Sequence, residues 1–204
     1  HYDKKIIKLI NTIADVVNND PVVSDKLKVV FLENYSVSLA ERIIPAANVS
    51  EQISTASKEA SGTGNMKLMM NGALTLGTMD GANVEVLEYY RSGGYSSRQV
   101  YDTNEEVRLT VDQLIHYSPF SKGDTEFQEI YDSLVHHNDE FFVLKDFAAY
   151  VAAQQRVSCD YQQKQAWNRK SLINIAHAGK FSSDRTIQEY ASDIWRIAPV
   201  NTLK

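Results

Sequence analysis

The sequence has little cysteine, glycine or proline, and it contains no long apolar run. Cys159 is the single cysteine among 204 residues, so the chain cannot form an internal disulfide. No apolar block resembles a secretory signal peptide or a membrane span of roughly 20 residues. These absences predict a cytoplasmic protein with no membrane partner. Since His1 takes the place of an initiating Met, we expect a fragment or a processed product.

Positive charge is also in short supply. The 21 Lys and Arg residues are outnumbered by 26 Asp and Glu, which gives a formal net charge of -5, and the basic residues are scattered. Such a distribution argues against a nucleic-acid partner or an acidic membrane surface, so any phosphate site must be local. No metal site is predicted. With 43% apolar residues, the chain is long enough to bury a core.

The first half of the chain alternates between helical and strand patterns. Apolar residues at helical spacing predict a helix that ends before Pro21, and the run Val29 to Leu32 predicts a doubly buried strand within Lys28–Glu33. The string Ser38-Leu39-Ala40-Glu41 predicts a capping box and a short helix. Further predictions are a strand at Glu51–Ala56, a helix at Gly64–Asn71 and a strand at Ala73–Thr78. This alternation is typical of an α/β fold with a parallel sheet.

The second half reads as helices throughout. Helical patterns cover Val107–Tyr117, Thr125–His136, Ala148–Val157, Trp167–His177 and Ile187–Ile197. The linker-like stretch is Arg91–Ser97, which contains two adjacent glycines. We therefore predict that residues 1–104 form an α/β cofactor-binding part and residues 105–204 a helical C-terminal part of the same domain.

A glycine-rich segment between a predicted strand and a predicted helix is the candidate for chemistry. In Gly62-Thr63-Gly64, the two glycines allow successive N–H groups to converge on an anion such as a phosphate. Lys67 follows one helical turn later, so it could hold the aldehyde of the same ligand as a Schiff base. Pyridoxal phosphate has both groups.

The same spacing also fits a structural role. Gly62-Thr63-Gly64 could form only a tight turn, with Lys67 an exposed helix lysine. The segment does not match a dinucleotide-binding fingerprint, because Lys67 stands where that motif has its third glycine. It does not match a Walker phosphate loop either, because the spacing before the lysine is wrong. Spacing alone leaves both interpretations open.

Three long strings in the chain match a known family. They are EASGTGNMKLMMNGALTLGTMDGANVE at Glu59–Glu85, VFLENYSVSLAERIIPAANVSEQISTA upstream, and GKFSSDRTIQEYASDIW at Gly179–Trp195. Together they closely resemble the C-terminal, pyridoxal-phosphate-binding region of α-glucan (glycogen, starch or maltodextrin) phosphorylases. The resemblance implies a Rossmann-like part of the C-terminal domain of a two-domain, GT-B type glycosyltransferase, with helical C-terminal cladding.

The resemblance also implies roles for particular residues. In this family the lysine of the GTGNMK string carries pyridoxal 5'-phosphate, which assigns that role to Lys67. Contacts to the cofactor are implied for Gly62, Thr63, Gly64 and Tyr35. Contacts to the glucosyl unit of the substrate are implied for Glu59, Ala60, Ser61 and Gly62. An alternative for Glu59 is a loop carboxylate whose charge favours the following helix.

The implied reaction is reversible phosphorolysis of α-1,4-glucan by inorganic phosphate, which releases α-D-glucose 1-phosphate. The cofactor phosphate, and not the imine, would take part in it. The resemblance implies the rest of the phosphorylase chain as a partner, and a homodimer. Two alternatives remain: a non-catalytic packing or glucan-contact module, and a nucleotide-sugar glycosyltransferase of the same architecture.

The chain departs from the family in what it does not contain. A basic KRIHEYKRQ-like segment and a catalytic histidine from the N-terminal domain have no counterpart here, so we expect these 204 residues alone to be inactive. After Glu85, relatives continue with a further strand and helix before a YRNGGY-like stretch, whereas here Tyr90 to Tyr95 follows almost at once. We expect that segment to be missing from this chain.

Overall fold

The computed structural model describes residues 2–54, 62–77, 94–116 and 125–198. Within them the chain is rich in helices and has one small parallel sheet, which agrees with the predicted α/β class. The helices are α1 (Tyr2–Asn19), α2 (Val37–Ile43), α3 (Gly64–Met70), α4 (Ser97–Thr103), α5 (Glu105–His116), α6 (Gln128–Val135), α7 (Val143–Gln162), α8 (Lys164–His177) and α9 (Ser183–Glu189). None of these described helices is long and apolar enough to cross a membrane.

The sheet consists of β1 (Val49–Gln52) and β2 (Leu74–Gly77), which pair in parallel with Val49 opposite Leu74. Helix α3 lies between them in the chain, so β1, α3 and β2 form a strand–helix–strand unit. This confirms the predicted helix at Gly64–Asn71 and the predicted strand at Ala73–Thr78. The first strand begins two residues earlier than Glu51, and residues 55 and 56 of that prediction lie outside the described residues.

The strand predicted at Lys28–Glu33 is wrong. The run has no regular secondary structure, and it pairs with no strand in the described part of the chain. Instead, the side chain of Asn18 bonds both backbone groups of Val29, accepting from its N–H at 2.9 Å and donating to its carbonyl at 2.8 Å. Val30 is 68% exposed, so the run does not form a doubly buried strand.

The helix predicted near Ser38 is confirmed as α2, but its capping box is wrong. The helix is preceded by Ser36 in extended conformation, whose side chain makes no capping hydrogen bond. The predicted C-terminal helix at Ile187–Ile197 is also corrected. It is the α-helix α9 followed by a π-helical turn, Tyr190–Trp195, which ends at Arg196 in the left-handed region with φ 54°.

The chain divides into two compact units, each assembled from two separate stretches. The first unit comprises residues 1–35 and 79–155, and the second comprises residues 36–78 and 156–204. The predicted boundary between residues 104 and 105 separates element types and not these contact units, and it stays a prediction.

The first unit has an apolar core among its helices. The core consists of side chains from α4 to α7, namely Tyr101, Val107, Val111, Tyr131, Val135 and Leu144. The hydroxyl of Tyr131 donates to that of Tyr101 at 3.2 Å within this core. Helix α1 packs against α6, where Lys5 and Lys8 form ion pairs with Glu129 and Glu126.

Helix α4 was not predicted from the sequence. Only the stretch that leads into it, Arg91–Ser97, was interpreted, as a linker. The side chain of Ser96 accepts a hydrogen bond from the Gln99 N–H and thereby caps this helix. Asn138 then fixes the entry of the chain, accepting from the Ser97 N–H at 2.8 Å. The Ser96 cap was a local signal that could have been read from the sequence.

Candidate functional site

The predicted phosphate segment lies at the start of α3, in the second unit. Thr63 is the residue before the helix, and its carbonyl accepts the Lys67 N–H at 3.1 Å, which closes the first turn. The side chain of Thr63 makes no capping hydrogen bond. Gly62, Thr63, Gly64 and Lys67 are therefore brought together in one short, exposed segment. Their mutual placement agrees with the predicted strand-to-helix context.

Lys67 has an accessible side chain on this turn. The structure gives its ammonium no hydrogen bond or ion pair to any described residue, and the residue is exposed. Its carbonyl, in contrast, is held firmly by Asn71, whose backbone N–H donates at 3.2 Å and whose side-chain amide donates at 2.9 Å. A fixed backbone with an unpaired primary amine is a suitable arrangement for condensation with an aldehyde.

The space around Gly64 can accept a ligand. A Cβ built on Gly64 would meet no atom of a described residue within 4 Å, so the described part of the chain leaves open space beside this glycine. The first-turn N–H groups of an α-helix have no intrahelical acceptor, and the Thr63 hydroxyl makes no hydrogen bond to a described residue. An anionic group therefore finds donors and room here, and the residues present fit the phosphate of pyridoxal phosphate.

The remaining predicted site residues are Tyr35, Glu59, Ala60 and Ser61. Tyr35 is the last residue of the first unit's N-terminal stretch, residues 1–35, and is 63% exposed. Its contact with a cofactor stays a prediction. Glu59, Ala60 and Ser61 lie outside the described residues, and so do their predicted substrate contacts.

A separate open cavity of about 510 Å³ borders the same strand–helix unit. It is lined by Met69, Leu74, Thr75, Lys170, Ile173 and Asn174. None of the predicted cofactor-binding residues is among them. Lys170, moreover, is already paired with Asp160 at 2.6 Å. We therefore place the candidate site at the Gly62–Lys67 segment and not in this cavity.

Sequence reasoning missed two residues whose side chains form hydrogen bonds at the C-terminal end of α3. Asn71 could have been found, because Asn-Gly after a helical pattern is a recognised helix-ending signal. Asn174 donates its side-chain amide to the Ala73 carbonyl at 3.2 Å. It had no local signal, since it lies 101 residues away from Ala73 in the chain. Among the described residues, no group of three His, Cys, Asp or Glu side chains could hold a metal ion.

Comparison with known proteins gives relatives along almost the entire chain. The chain is 56% identical to "Glycogen phosphorylase" of Bacillus subtilis (strain 168) over 220 residues, which cover 98% of this chain and 27% of the relative. It is 51% identical to "Glycogen phosphorylase, liver form" of Homo sapiens over 219 residues, which cover 98% of this chain and 26% of the relative. For "Glycogen phosphorylase" of Synechocystis sp. (strain ATCC 27184 / PCC 6803 / Kazusa) the identity is 50% over 216 residues, which cover 97% and 25%.

The relatives are much longer than this chain. The chain spans about a quarter of the length of the curated relatives it matches. The alignment with the Bacillus protein also runs over 220 positions, more than the 204 residues of this chain. The relative therefore has residues with no counterpart here. The segment expected to be missing after Glu85 stays a prediction.

The family assignment rests on a match that covers nearly the whole chain and not on a single motif. The sequence profile described as "Carbohydrate phosphorylase" matches residues 1–197. This range includes the Gly62–Lys67 segment, the sheet and all of the described helices. The chain therefore belongs to the carbohydrate phosphorylase family.

Proposed function

We propose that this chain supplies the cofactor-binding part of a 1,4-α-glucan phosphorylase. The complete enzyme would catalyse reversible phosphorolysis of α-1,4-glucan to α-D-glucose 1-phosphate. The observation that carries this proposal is the family match over residues 1–197, which contains an exposed lysine, unpaired with any described residue, one turn after an exposed Gly-Thr-Gly segment.

The described residues would divide the binding of pyridoxal phosphate between them. Lys67 would tether the aldehyde carbon through its amine. The hydroxyl of Thr63 and the backbone N–H groups of Gly62 and Gly64 would donate to the phosphate, and Tyr35 would line the same pocket. When bound, the cofactor supplies a phosphate group that acts beside the substrate phosphate as an acid or a charge partner.

The residues that precede this segment would face the substrate. Glu59 would accept hydrogen bonds from sugar hydroxyls, while Ala60, Ser61 and Gly62 would approach the glucosyl unit through backbone amides and a hydroxyl. The main role of these groups would be to hold the cofactor phosphate, the substrate phosphate and the sugar in fixed relative positions, because such catalysis depends on positioning. Lys67 would therefore serve as an anchor.

The same proposal extends to the architecture and the partners. The parallel pairing of β1 and β2 across α3 supports a Rossmann-like part of the C-terminal domain of a GT-B type glycosyltransferase. We further propose inorganic phosphate, α-1,4-glucan and glucose 1-phosphate as ligands. The rest of the phosphorylase chain and a second copy would be protein partners, in the cytoplasm.

Covalent labelling of the complete protein tests the cofactor role. The protein is incubated with pyridoxal phosphate, reduced with borohydride and digested, and the label is mapped. We expect saturable labelling at Lys67, lost in Lys67→Arg and kept in Lys180→Arg, which changes another exposed lysine of the same unit. Labelling scattered over surface lysines would favour a non-catalytic module. Tight binding of a nucleotide diphosphate sugar in its place would favour the glycosyltransferase alternative.

Activity after reduction tests the anchoring role of Lys67. Borohydride saturates the carbon–nitrogen double bond between lysine and cofactor but leaves the cofactor phosphate unchanged. We expect the reduced protein to retain phosphorolysis, measured as release of glucose 1-phosphate from a glucan. Abolished activity would indicate carbonyl chemistry of the aminotransferase kind and would contradict the proposal.

A further inference from the structure

The turn that follows Lys67 is built around backbone hydrogen bonds. Helix α3 ends as the Gly72 N–H donates to the Met69 carbonyl and the Ala73 N–H donates to the Leu68 carbonyl, both at 3.0 Å. Asn71, in the same turn, gives two donors to the Lys67 carbonyl. The backbone of Lys67 is thus bonded directly to this α3–β2 turn. Any shift of the turn relative to the sheet moves Lys67 with it.

Helix α8 packs directly onto the α3–β2 turn. Gly72 has φ +90° and is buried, and a Cβ at that position would lie 2.4 Å from the Ser171 Oγ and 3.3 Å from the Ile175 Cδ1. The backbone at Gly72 and the face of α8 therefore touch with no room for a side chain. This close approach brings Asn174, which lies between Ser171 and Ile175 in α8, to the same turn.

Asn174 provides the polar link between α8 and the turn. Its side-chain amide donates to the carbonyl of Ala73, a residue that is fully buried. The next residue, Leu74, starts β2 by donating its N–H to the Asn48 carbonyl at 3.0 Å. Ala73 thus lies between the helix end and the sheet, and a buried carbonyl without a donor there would be unfavourable.

We infer that Asn174 is a positioning residue for Lys67: by bonding the Ala73 carbonyl, it fixes the turn to which the Lys67 carbonyl is itself bonded. This inference rests on the proposed cofactor role of Lys67. Asn174 bonds Ala73 and has no hydrogen bond to Lys67, so it acts on Lys67 through the turn. It sets the position of the Lys67 amine relative to the sheet, and therefore its reach towards the aldehyde of a ligand whose phosphate is bound at Gly62–Gly64.

A pair of substitutions on one helix tests this role. Asn174→Asp keeps the shape of the side chain but replaces its donor with an oxygen that faces the Ala73 carbonyl. Asn168→Asp introduces the same charge at an exposed position of α8, where the side chain makes no hydrogen bond to a described residue. Each variant of the complete protein is titrated with pyridoxal phosphate, reduced with borohydride, and analysed for label at Lys67 by peptide mapping. Circular dichroism and the thermal midpoint without cofactor are recorded in parallel.

We expect Asn174→Asp to raise the pyridoxal phosphate concentration for half-labelling of Lys67 about tenfold at a temperature where the protein is fully folded. Asn168→Asp should leave this concentration unchanged. If Asn174→Asp does not fold, Asn174→Ala is scored in the same way, because water can then reach the Ala73 carbonyl.

A lowered thermal midpoint with unchanged half-labelling would mean that Asn174 is only structural, and would overturn the inference alone. Absence of label at Lys67 in the unsubstituted protein would overturn the proposed function, and this inference with it. The two failures are therefore distinguishable in one titration series.

Discussion

Gly72 is the residue whose replacement tests the packing of α8 on the α3–β2 turn. Its φ of +90° strains any L-residue, and a methyl group would also press on Ser171 and Ile175. We expect Gly72→Ala to lower the free energy of unfolding by about 2 kcal/mol, most of it backbone strain. Urea titration followed by circular dichroism measures the change.

Gly179→Ala is the matched control for this glycine. A Cβ on Gly179 would meet no atom within 4 Å, and its φ is not in the left-handed region. We expect this substitution to change the free energy of unfolding by no more than about 0.5 kcal/mol. Equal losses at positions 72 and 179 would contradict the contact described for Gly72.

Asp139 is a buried carboxylate that joins two segments of the first unit. One of its oxygens accepts from the Tyr95 hydroxyl at 3.0 Å and from the Leu144 N–H at 2.8 Å, and the residue is 3% exposed. Burial, followed by the neighbouring Asp139, raises the pKa of Tyr95, so the phenol stays protonated and donates. Asp139→Ala should cost about 2 to 4 kcal/mol of unfolding free energy, because it removes the acceptor of both hydrogen bonds from a buried position.

The neighbouring position provides the control for Asp139. Glu140 is exposed, and Glu140→Ala should change the unfolding free energy by about 0.5 kcal/mol or less. Both variants are compared with the unsubstituted protein by urea unfolding monitored by circular dichroism. A loss at position 139 as small as that at position 140 would show that the two hydrogen bonds contribute little to stability.

At the scale of elements, periodicity predicted most of the helices. Helices α1, α3, α5, α6, α7 and α8 all overlap predicted ones, since their apolar residues recur at helical spacing. The strand at Lys28–Glu33 failed because an apolar run does not specify a partner, and a strand forms only where another strand completes its hydrogen bonds. Local sequence also could not predict the Asn174–Ala73 bond.

For the candidate site, the sequence predicted where the residues lie better than it predicted their roles. Gly62, Thr63, Gly64 and Lys67 are close in sequence, so the start of one helix brings them together without help from distant residues. The roles assigned to them came from resemblance to a family, because spacing equally fits a plain turn. Tyr35 belongs to the other unit, where no local pattern relates it to Lys67.

The ion pair between α7 and α8 gives a pH-dependent prediction. Hydrogen bonding from Lys170 and its positive charge lower the pKa of Asp160. Because the folded pKa is the lower one, the pair stabilises the protein above the unfolded pKa of about 3.9, and this contribution is lost as the pH falls through the folded value. Asp160→Asn should therefore be less stable than the unsubstituted protein at pH 7 and equally stable at the acid end.

Thermal unfolding across pH 2 to 7 measures this difference. Both side chains are substantially exposed, so the effect at pH 7 should be small and should shrink further in high salt. A difference that persisted unchanged at the acid end or in high salt would show that the Asp160 carboxylate stabilises the fold in another way than by its charge.

At the scale of the whole molecule, large apolar side chains remain uncovered on described helices. Leu172, Ile187, Ile194 and Trp195 are each more than half exposed. Since the chain spans about a quarter of its relatives' length, we expect these 204 residues alone to show no phosphorolysis. Release of glucose 1-phosphate from a glucan by the purified chain, above a Lys67→Arg control, would contradict this expectation.

The division of each unit into two stretches has a consequence for the order in which the molecule matures during synthesis. Ala73, next to strand β2, leaves the ribosome about a hundred residues before its partner Asn174. At roughly 5 to 20 residues per second, Ala73 waits for about 5 to 20 seconds without its donor. The turn to which the Lys67 carbonyl is bonded is therefore completed late. We expect nascent chains to acquire the ability to bind the cofactor only near the end of translation of this region.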